Sequence, residues 1–231
     1  MTKPMLEVRD VSKIYGEGEN KVLAVDSVSL SLERQELLLI MGPSGSGKTT
    51  LLSIMGCILR PTKGEVRVEE RIVSRGDLSG RPDEEILPNI RKQYFGFVFQ
   101  AFNLFPSLSA MENVEIVLRL KGWEKSKLRS EASKLLNRVG LGRRTDFYPA
   151  DMSGGEKQRV AFARALAGDP PIILADEPTA NLDSKTGLEV LKLLRELAEE
   201  FEKAIVIVSH DPKAEALAHR VVFLEDGRIK R

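Results

Sequence analysis

The chain has 231 residues, room for one large domain or a domain carrying an inserted lobe, and its 35 basic and 34 acidic residues leave a net charge of +1. Such a balance sets up no bulk field toward nucleic acid or lipid, so partners must be recognised by shape, and no nucleic acid is expected among them. The longest apolar runs, at 37–41 and 204–208, fall far short of the roughly 18 residues that cross a bilayer.

The N-terminus turns charged too early for a secretion signal, and the single cysteine, Cys57, allows no internal disulfide. The chain is therefore expected in a reducing compartment, without direct membrane insertion, and Cys57, on an apolar helical stretch, reads as a small core residue. Residues 5–33 alternate apolar and polar positions, which predicts antiparallel strands with one wet face, turned near Gly16, Gly18 and Asn20. Tyr15 closes the first strand. It reads as a half-buried strand aromatic or as a platform for a planar base.

Residues 37–41, LLLIM, have the length of a buried strand and run straight into GPSGSGKT at 42–49 and an apolar helix start. This is Gly-x4-Gly-Lys-Thr between strand and helix. Its glycines let backbone N–H groups converge on phosphate oxygens, which makes Gly42, Ser44, Gly45, Ser46, Gly47, Lys48, Thr49 and Thr50 candidate ligands of a nucleoside triphosphate. Lys48 would reach the terminal phosphates and the Thr49 hydroxyl would ligate Mg²⁺. Kinases, GTPases and ATPases share the loop.

A helix over about 49–59 should stop at Pro61 and Gly64, and 65–73, EVRVEERIV, reads as one alternating strand. Residues 75–88 read as loop or a short helix. YFGFVFQ at 94–100 is a buried strand ending in Gln100, either a strand-terminal hydrogen bonder or a ligand for a metal or a water. A helix should begin near Ser109, and a charged amphipathic helix should cover 125–139 and end at Gly140. Nothing over 104–151 reads as sheet, so this stretch is taken as a helical lobe.

MSGGEKQRVAFARALAG at 152–168 opens with a Ser-x-x-Glu capping box, Ser153 to Glu156, and reads as helix to Gly168. Gly154 and Gly155 each cost the first turn up to about 1 kcal/mol relative to alanine, and an anion approaching that N-terminus would explain them. PIILADEPTANLDS at 171–184 is an apolar strand ending in Asp176 and Glu177. Carboxylates there need a cation. Neighbouring strand residues face opposite ways, so Asp176 is expected to face Mg²⁺ and Glu177 a water. A leucine-striped helix over about 184–202 precedes a buried strand tipped by His210, whose plain reading is a hydrogen-bonded bystander. A hairpin around Asp226 and Gly227 closes the chain.

Taken in order, these motifs resemble the ATP-binding cassette (ABC) ATPases over essentially the full length: Walker A at 42–49, Gln100 as Q-loop, the signature at 152–159, Walker B at 172–177, the D-loop at 180–183 and His210 as H-loop. FGFVFQAFNLFPSLSAMENV and LADEPTANLDSKTG are similar to the lipoprotein-release and macrolide-export subgroup (LolD- and MacB-like cassettes). Met152 stands where leucine is usual, a volume-conserving change. The resemblance implies an α/β fold over 1–231. A P-loop NTPase core with a mixed, mostly parallel sheet and an antiparallel β subdomain would come from 1–90 and 156–231, and an inserted α-helical subdomain from 100–155.

It also implies an ATPase with ATP and Mg²⁺ as cofactors. Tyr15 would stack on the base, Walker A would hold the phosphates, and Mg²⁺ would sit on Thr49, Gln100 and, through water, Asp176. Glu177 would polarise the attacking water, and His210, Lys48 and Gln100 would serve the same reaction. Ser153, Gly154, Gly155, Glu156 and Asp183 would face the nucleotide of a second copy. One chain then lacks a complete site, and two must close head to tail as a homodimer. The partner implied is a separate transmembrane permease, docked near the aromatic segment 101–105, with the cassette on the cytoplasmic face of the membrane and without a C-terminal regulatory domain. The same motifs suit a non-transport ABC ATPase that regulates a cell-envelope or division complex. A P-loop kinase would leave 152–159 and His210 without a role, and the long coiled coils of DNA-repair relatives have no counterpart here.

Overall fold

The computed structural model describes residues 3–76 and 83–230. Its centre is a sheet of six strands in the order β10-β9-β3-β8-β7-β6. In chain order these are β3 (Leu37–Met41), β6 (Phe95–Val98), β7 (Ile172–Asp176), β8 (Ala204–Val208), β9 (Arg220–Glu225) and β10 (Arg228–Lys230). All neighbours pair in parallel except the terminal β9–β10 hairpin. β3 and β8 are buried at every position, which is why their sequences are continuous apolar runs without alternation.

The period of two shows up instead as a division between two cores. Leu37, Leu39, Ile173, Ala175, Ile205 and Ile207 point into one, against α3 (Ala110–Leu120), α4 (Lys125–Arg138), α5 (Gly154–Leu166) and α6 (Ser184–Glu200). Leu38, Ile40, Ile172, Leu174, Val206 and Val208 point into the other, against α1 (Lys48–Met55) and a second sheet. That sheet is antiparallel, in the order β2-β1-β4-β5, from β1 (Leu6–Tyr15), β2 (Val22–Leu32), β4 (Lys63–Val68) and β5 (Arg71–Arg75). The α/β class, the antiparallel sheet and the helices following Gln100 agree with expectation.

Three local readings change. The single strand expected at 65–73 is the hairpin β4–β5, turned by Glu69 and Glu70 at φ 47° and 67°. Of 75–88, read as loop or a short helix, residues 77–82 lie outside the described residues, and Asp83–Tyr94 is a twelve-residue helix, α2, that continues through Pro88 and takes in Tyr94, expected in the next strand. Its Leu87, Ile90 and Tyr94 pack on the second core, and that burial outweighs the backbone bond lost at the proline. Helix α1 ends at Met55, several residues before Leu59, and Cys57 beyond it takes φ 56° and is buried.

Candidate nucleotide-binding site

Strands β3, β8, β7 and β6 lie side by side and run the same way, so the segments after their carboxyl ends meet at one edge of the sheet. That edge is the usual ligand crevice of a parallel α/β sheet. β3 opens into 42–49, β6 leads to Gln100, β7 ends at Asp176 and β8 leads to His210. Between them lies a cavity of about 590 Å³ lined by Ala24, Ser44, Gly45, Gly47, Lys48, Thr49, Thr50, Gln100, Glu177 and His210. Its size suits a cofactor.

The loop after β3 takes its shape from steric necessity. A Cβ on Gly42, at φ 152°, would lie 2.0 Å from the Leu224 carbonyl oxygen, and one on Gly47, at φ 98°, would lie 2.1 Å from that of Ala24. Only glycine fits between these walls and turns as sharply. Gly47 caps α1, so the first N–H groups of that helix and its positive end face the cavity. The Lys48 ammonium donates to the carbonyls of Gly42 and Pro43, each at 2.8 Å. Ser46 Oγ is buried with no hydrogen-bond partner. A pre-shaped loop, an orphaned hydroxyl and an ammonium held only by neutral carbonyls are the donor set a phosphate chain would complete.

Behind the loop, the Thr49 hydroxyl donates to Asp176 Oδ1 at 3.1 Å. Burial raises the Asp176 pKa above its ordinary value; the Thr49 bond opposes this and the like charge of Glu177 adds to it. A carboxylate in that position favours a cation. Among the described residues no group of three or more His, Cys, Asp and Glu could hold a metal. Thr49, Asp176 and Gln100 could hold Mg²⁺ only with phosphate oxygens or waters completing its shell.

Glu177 does not owe its direction to strand alternation. β7 ends at Asp176, and Glu177 turns out of it at φ 45° with its N–H donating to the Val208 carbonyl at 2.9 Å. Its carboxylate, 15% exposed, lies 2.9 Å from His210 Nδ1 and 3.4 Å from Ser209 Oγ. A carboxylate can only accept, so the imidazole carries its proton on Nδ1 and presents Nε2 elsewhere. His210 is thus the residue that orients the candidate base.

Other candidates lie apart from the cavity lining. The Tyr15 ring is partly exposed, with the Lys13 ammonium 5.5 Å from its centroid. Asp183 spends its carboxylate capping α6, accepting from the N–H groups of Lys185 and Thr186. Ser153 and Glu156 form the reciprocal cap of α5, and Glu156 also pairs with Arg144 at 3.3 Å. Ser153 is exposed, while Gly155 is packed so tightly against α6 that a Cβ would lie 2.4 Å from the Thr186 methyl. The bareness of Gly155 therefore has a cause inside the chain, and an anion is not needed to explain it.

The sequence reading passed over Ala24 and Ser209, and included Asn181 only as part of the D-loop. Asn181 Nδ2 donates to the Gln100 carbonyl at 2.8 Å and ties the segment after β7 to the one after β6. Ser209, next to His210 at a strand tip, carried a positional signal. Ala24 acts through its backbone and carried none.

The profile of the ABC transporter family matches residues 25–180. The chain belongs to the ABC transporter family. Within it, this is an ATP-binding cassette, an ATPase domain with features of the MacB and LolD subgroup. An uncharacterized ABC transporter ATP-binding protein of Thermotoga maritima is 48% identical over 229 residues, covering 99% of this cassette and 94% of that protein. The macrolide export ATP-binding/permease protein MacB of Hyphomonas neptunium is 45% identical over 99% of the cassette. The cassette spans only 34% of that relative's length. The ATP-binding cassette MJ0796 of Methanocaldococcus jannaschii, solved as a dimer in a post-hydrolysis state with ADP and Pi, aligns with a TM-score of 0.88 at 43% identity, covering 98% of this chain and 97% of that one. No helix among the described residues is long and apolar enough to cross a membrane.

Proposed function

We propose that the cassette binds and hydrolyses MgATP as one half of a two-site homodimer and drives a separate membrane subunit of the lipoprotein-release or macrolide-export type. The observation that carries this is a division of labour. The cavity gathers Lys48, Thr49, Gln100, Glu177 and His210, whereas the capped tip of α5, with Ser153 exposed, lines none of it. A second copy turned head to tail would bring its α5 tip over the open side of the pocket.

In the loaded pocket, Lys48 leaves its two loop carbonyls for phosphate oxygens, a stronger charge-assisted contact. Thr49, Gln100 and, through water, Asp176 would hold a Mg²⁺ ion, which would supply positive charge to the phosphates. Glu177, oriented by His210, accepts the proton of a water placed in line with the terminal phosphate. Tyr15 at the open end of β1 offers a face for the adenine. The MacB relative is named as an ATP-binding/permease protein, which favours transport over a purely regulatory role. The permease would be a separate chain, with the cassette held on the cytoplasmic face of the membrane through it.

Ser153→Arg tests the shared site. The isolated variant should bind ATP with wild-type affinity, because its own pocket is intact, and lose about 10² to 10³ in hydrolysis, as for removal of one preorganised donor. Full activity in that variant would show a self-contained pocket and end the shared-site reading.

A further inference from the structure

The near-neutral charge of the whole chain hides a local excess. Residues 119–129, which join α3 to α4, hold five basic side chains, Arg119, Lys121, Lys125, Lys127 and Arg129, against one acid, Glu124. Lys127 pairs with Glu124 at 3.0 Å and Arg129 with Asp146 at 3.5 Å, both in open solvent where such pairs are worth little. Arg119 and Lys125 are exposed and make no ion pair among the described residues. Lys121 keeps its Nζ out of solvent. Lys92, exposed at the end of α2, lies close enough to repel it, so the surplus extends beyond the turn. Lys203 is also within electrostatic reach but is answered by Asp169 at 2.6 Å.

Two large apolar side chains stand among these cations. Leu120, the last residue of α3, is 68% exposed, and Trp123, the only tryptophan of the chain, is 37% exposed three residues on. Between them Gly122 turns the chain at φ 84°, its N–H donating to the Arg119 carbonyl and that of Trp123 to the Leu118 carbonyl. This is a Schellman ending, in which an apolar residue at the Trp123 position commonly packs back toward the Leu118 position. Such packing asks for an apolar side chain but not for an indole, and it gives Leu120 no cover.

A cationic turn carrying an exposed leucine and tryptophan has the composition that settles at an anionic lipid surface. An indole is favoured at headgroup level, and Lys and Arg reach lipid phosphates while their stems stay in apolar surroundings. We propose that the α3–α4 turn touches the anionic membrane surface directly, with Trp123 and Leu120 entering the headgroup layer and Arg119 and Lys125 on lipid phosphates. The proposal rests on the reading of the chain as a cassette held at a membrane, and it gives the cassette a shallow lipid contact of its own. A nucleic acid strand could stack on Trp123 and engage the same cations, but it would leave Leu120 in water. Lipid covers both side chains. Each cation near such a surface is worth roughly fivefold in affinity.

The test uses the full chain and vesicles of phosphatidylcholine alone or with about 30% phosphatidylglycerol, at about 0.05 M and 0.5 M salt. Flotation reads binding, and the emission of Trp123 reads where the turn sits, since no other tryptophan contributes. The chain should float with the anionic vesicles at low salt, be released at high salt and ignore the neutral vesicles. Trp123 emission should move to shorter wavelength on binding and be quenched by lipid brominated in its acyl chains. Arg119→Gln combined with Lys125→Gln should weaken binding about thirtyfold and leave ATP hydrolysis at the wild-type rate. No binding to anionic vesicles, binding without a change in Trp123 emission, or unaltered binding by the double variant would overturn the proposal. So would a single-stranded RNA that binds more tightly at the same salt and displaces the vesicles. Intact wild-type hydrolysis without vesicle binding sinks the lipid contact alone, whereas vesicle binding without hydrolysis sinks the ATPase reading and leaves the contact.

Discussion

At the scale of single residues, the pocket is arranged around groups that need something they do not have. Asp176 is half buried beside a second carboxylate, hydrogen-bonded to the Thr49 hydroxyl and favoured more weakly by the Lys48 charge, yet burial still raises its pKa. Asp176→Asn keeps an acceptor for that hydroxyl and removes the charge. The nucleotide-free variant should therefore melt no lower than the wild type. The part of ATP-induced stabilisation that EDTA abolishes should shrink. A tenfold loss of affinity removes about 1.4 kcal/mol, roughly 3 to 6 °C for a chain of this size. Thermal melts with ATP, with and without Mg²⁺, check this; an unchanged Mg²⁺ contribution would remove Asp176 from the metal site.

Much of this was legible because phosphate and metal chemistry demands particular residue types. Lys48, Thr49, Gln100, Glu177 and His210 were named from spacing, motif resemblance and strand ends, and the fold brings them to one edge of the sheet. Illegible were the contacts made by backbone alone, such as the Ala24 carbonyl against Gly47. Glu177 was placed at the site for a mistaken reason. Its direction comes from a left-handed turn and from His210, and the local sequence gives no sign of either.

At the scale of elements, two helices begin with the same reciprocal cap. Ser109 and Glu112 open α3, and Ser153 and Glu156 open α5. The backbone N–H of each serine holds the glutamate below the usual carboxylate range, helped by the serine hydroxyl. A folded pKa below the unfolded value gives stability that is present above the unfolded pKa, near 4.3, and is lost as pH falls through the depressed folded value. Glu112→Gln keeps an acceptor for the Ser109 N–H but cannot titrate. Its melting temperature should fall less steeply than that of the wild type as pH drops below about 5. Parallel acid limbs for the two proteins would show that the Glu112 charge plays no part.

The α5 cap is readable from its four-residue pattern, whereas at Ser109 the sequence predicts only a helix start. Helix α2 reads only as loop or short helix, because Pro88 argues locally against a helix while the burial of Leu87 and Ile90 is decided by a strand and a sheet distant in sequence. The β4–β5 hairpin was missed for a related reason. Glu69 and Glu70 are not residues that announce a turn, yet both adopt positive φ between paired strands.

At the scale of the molecule, strand order makes the site. Residues from 44 to 210 in the sequence line one cavity because β3, β8, β7 and β6 are adjacent and parallel, and that order is written in no single stretch of sequence. It also leaves the α5 tip outside the pocket lining of its own chain, which is what the proposed head-to-tail dimer requires. Glu177→Gln is the direct test of the proposed dimer, because it keeps the binding groups while removing the proposed base. Analytical ultracentrifugation of this variant with MgATP should show a stable dimer holding two nucleotides, and its turnover should be about 10² to 10⁴ lower than that of the wild type. A variant that binds ATP and stays monomeric, or that hydrolyses it at the wild-type rate as a monomer, would contradict the account.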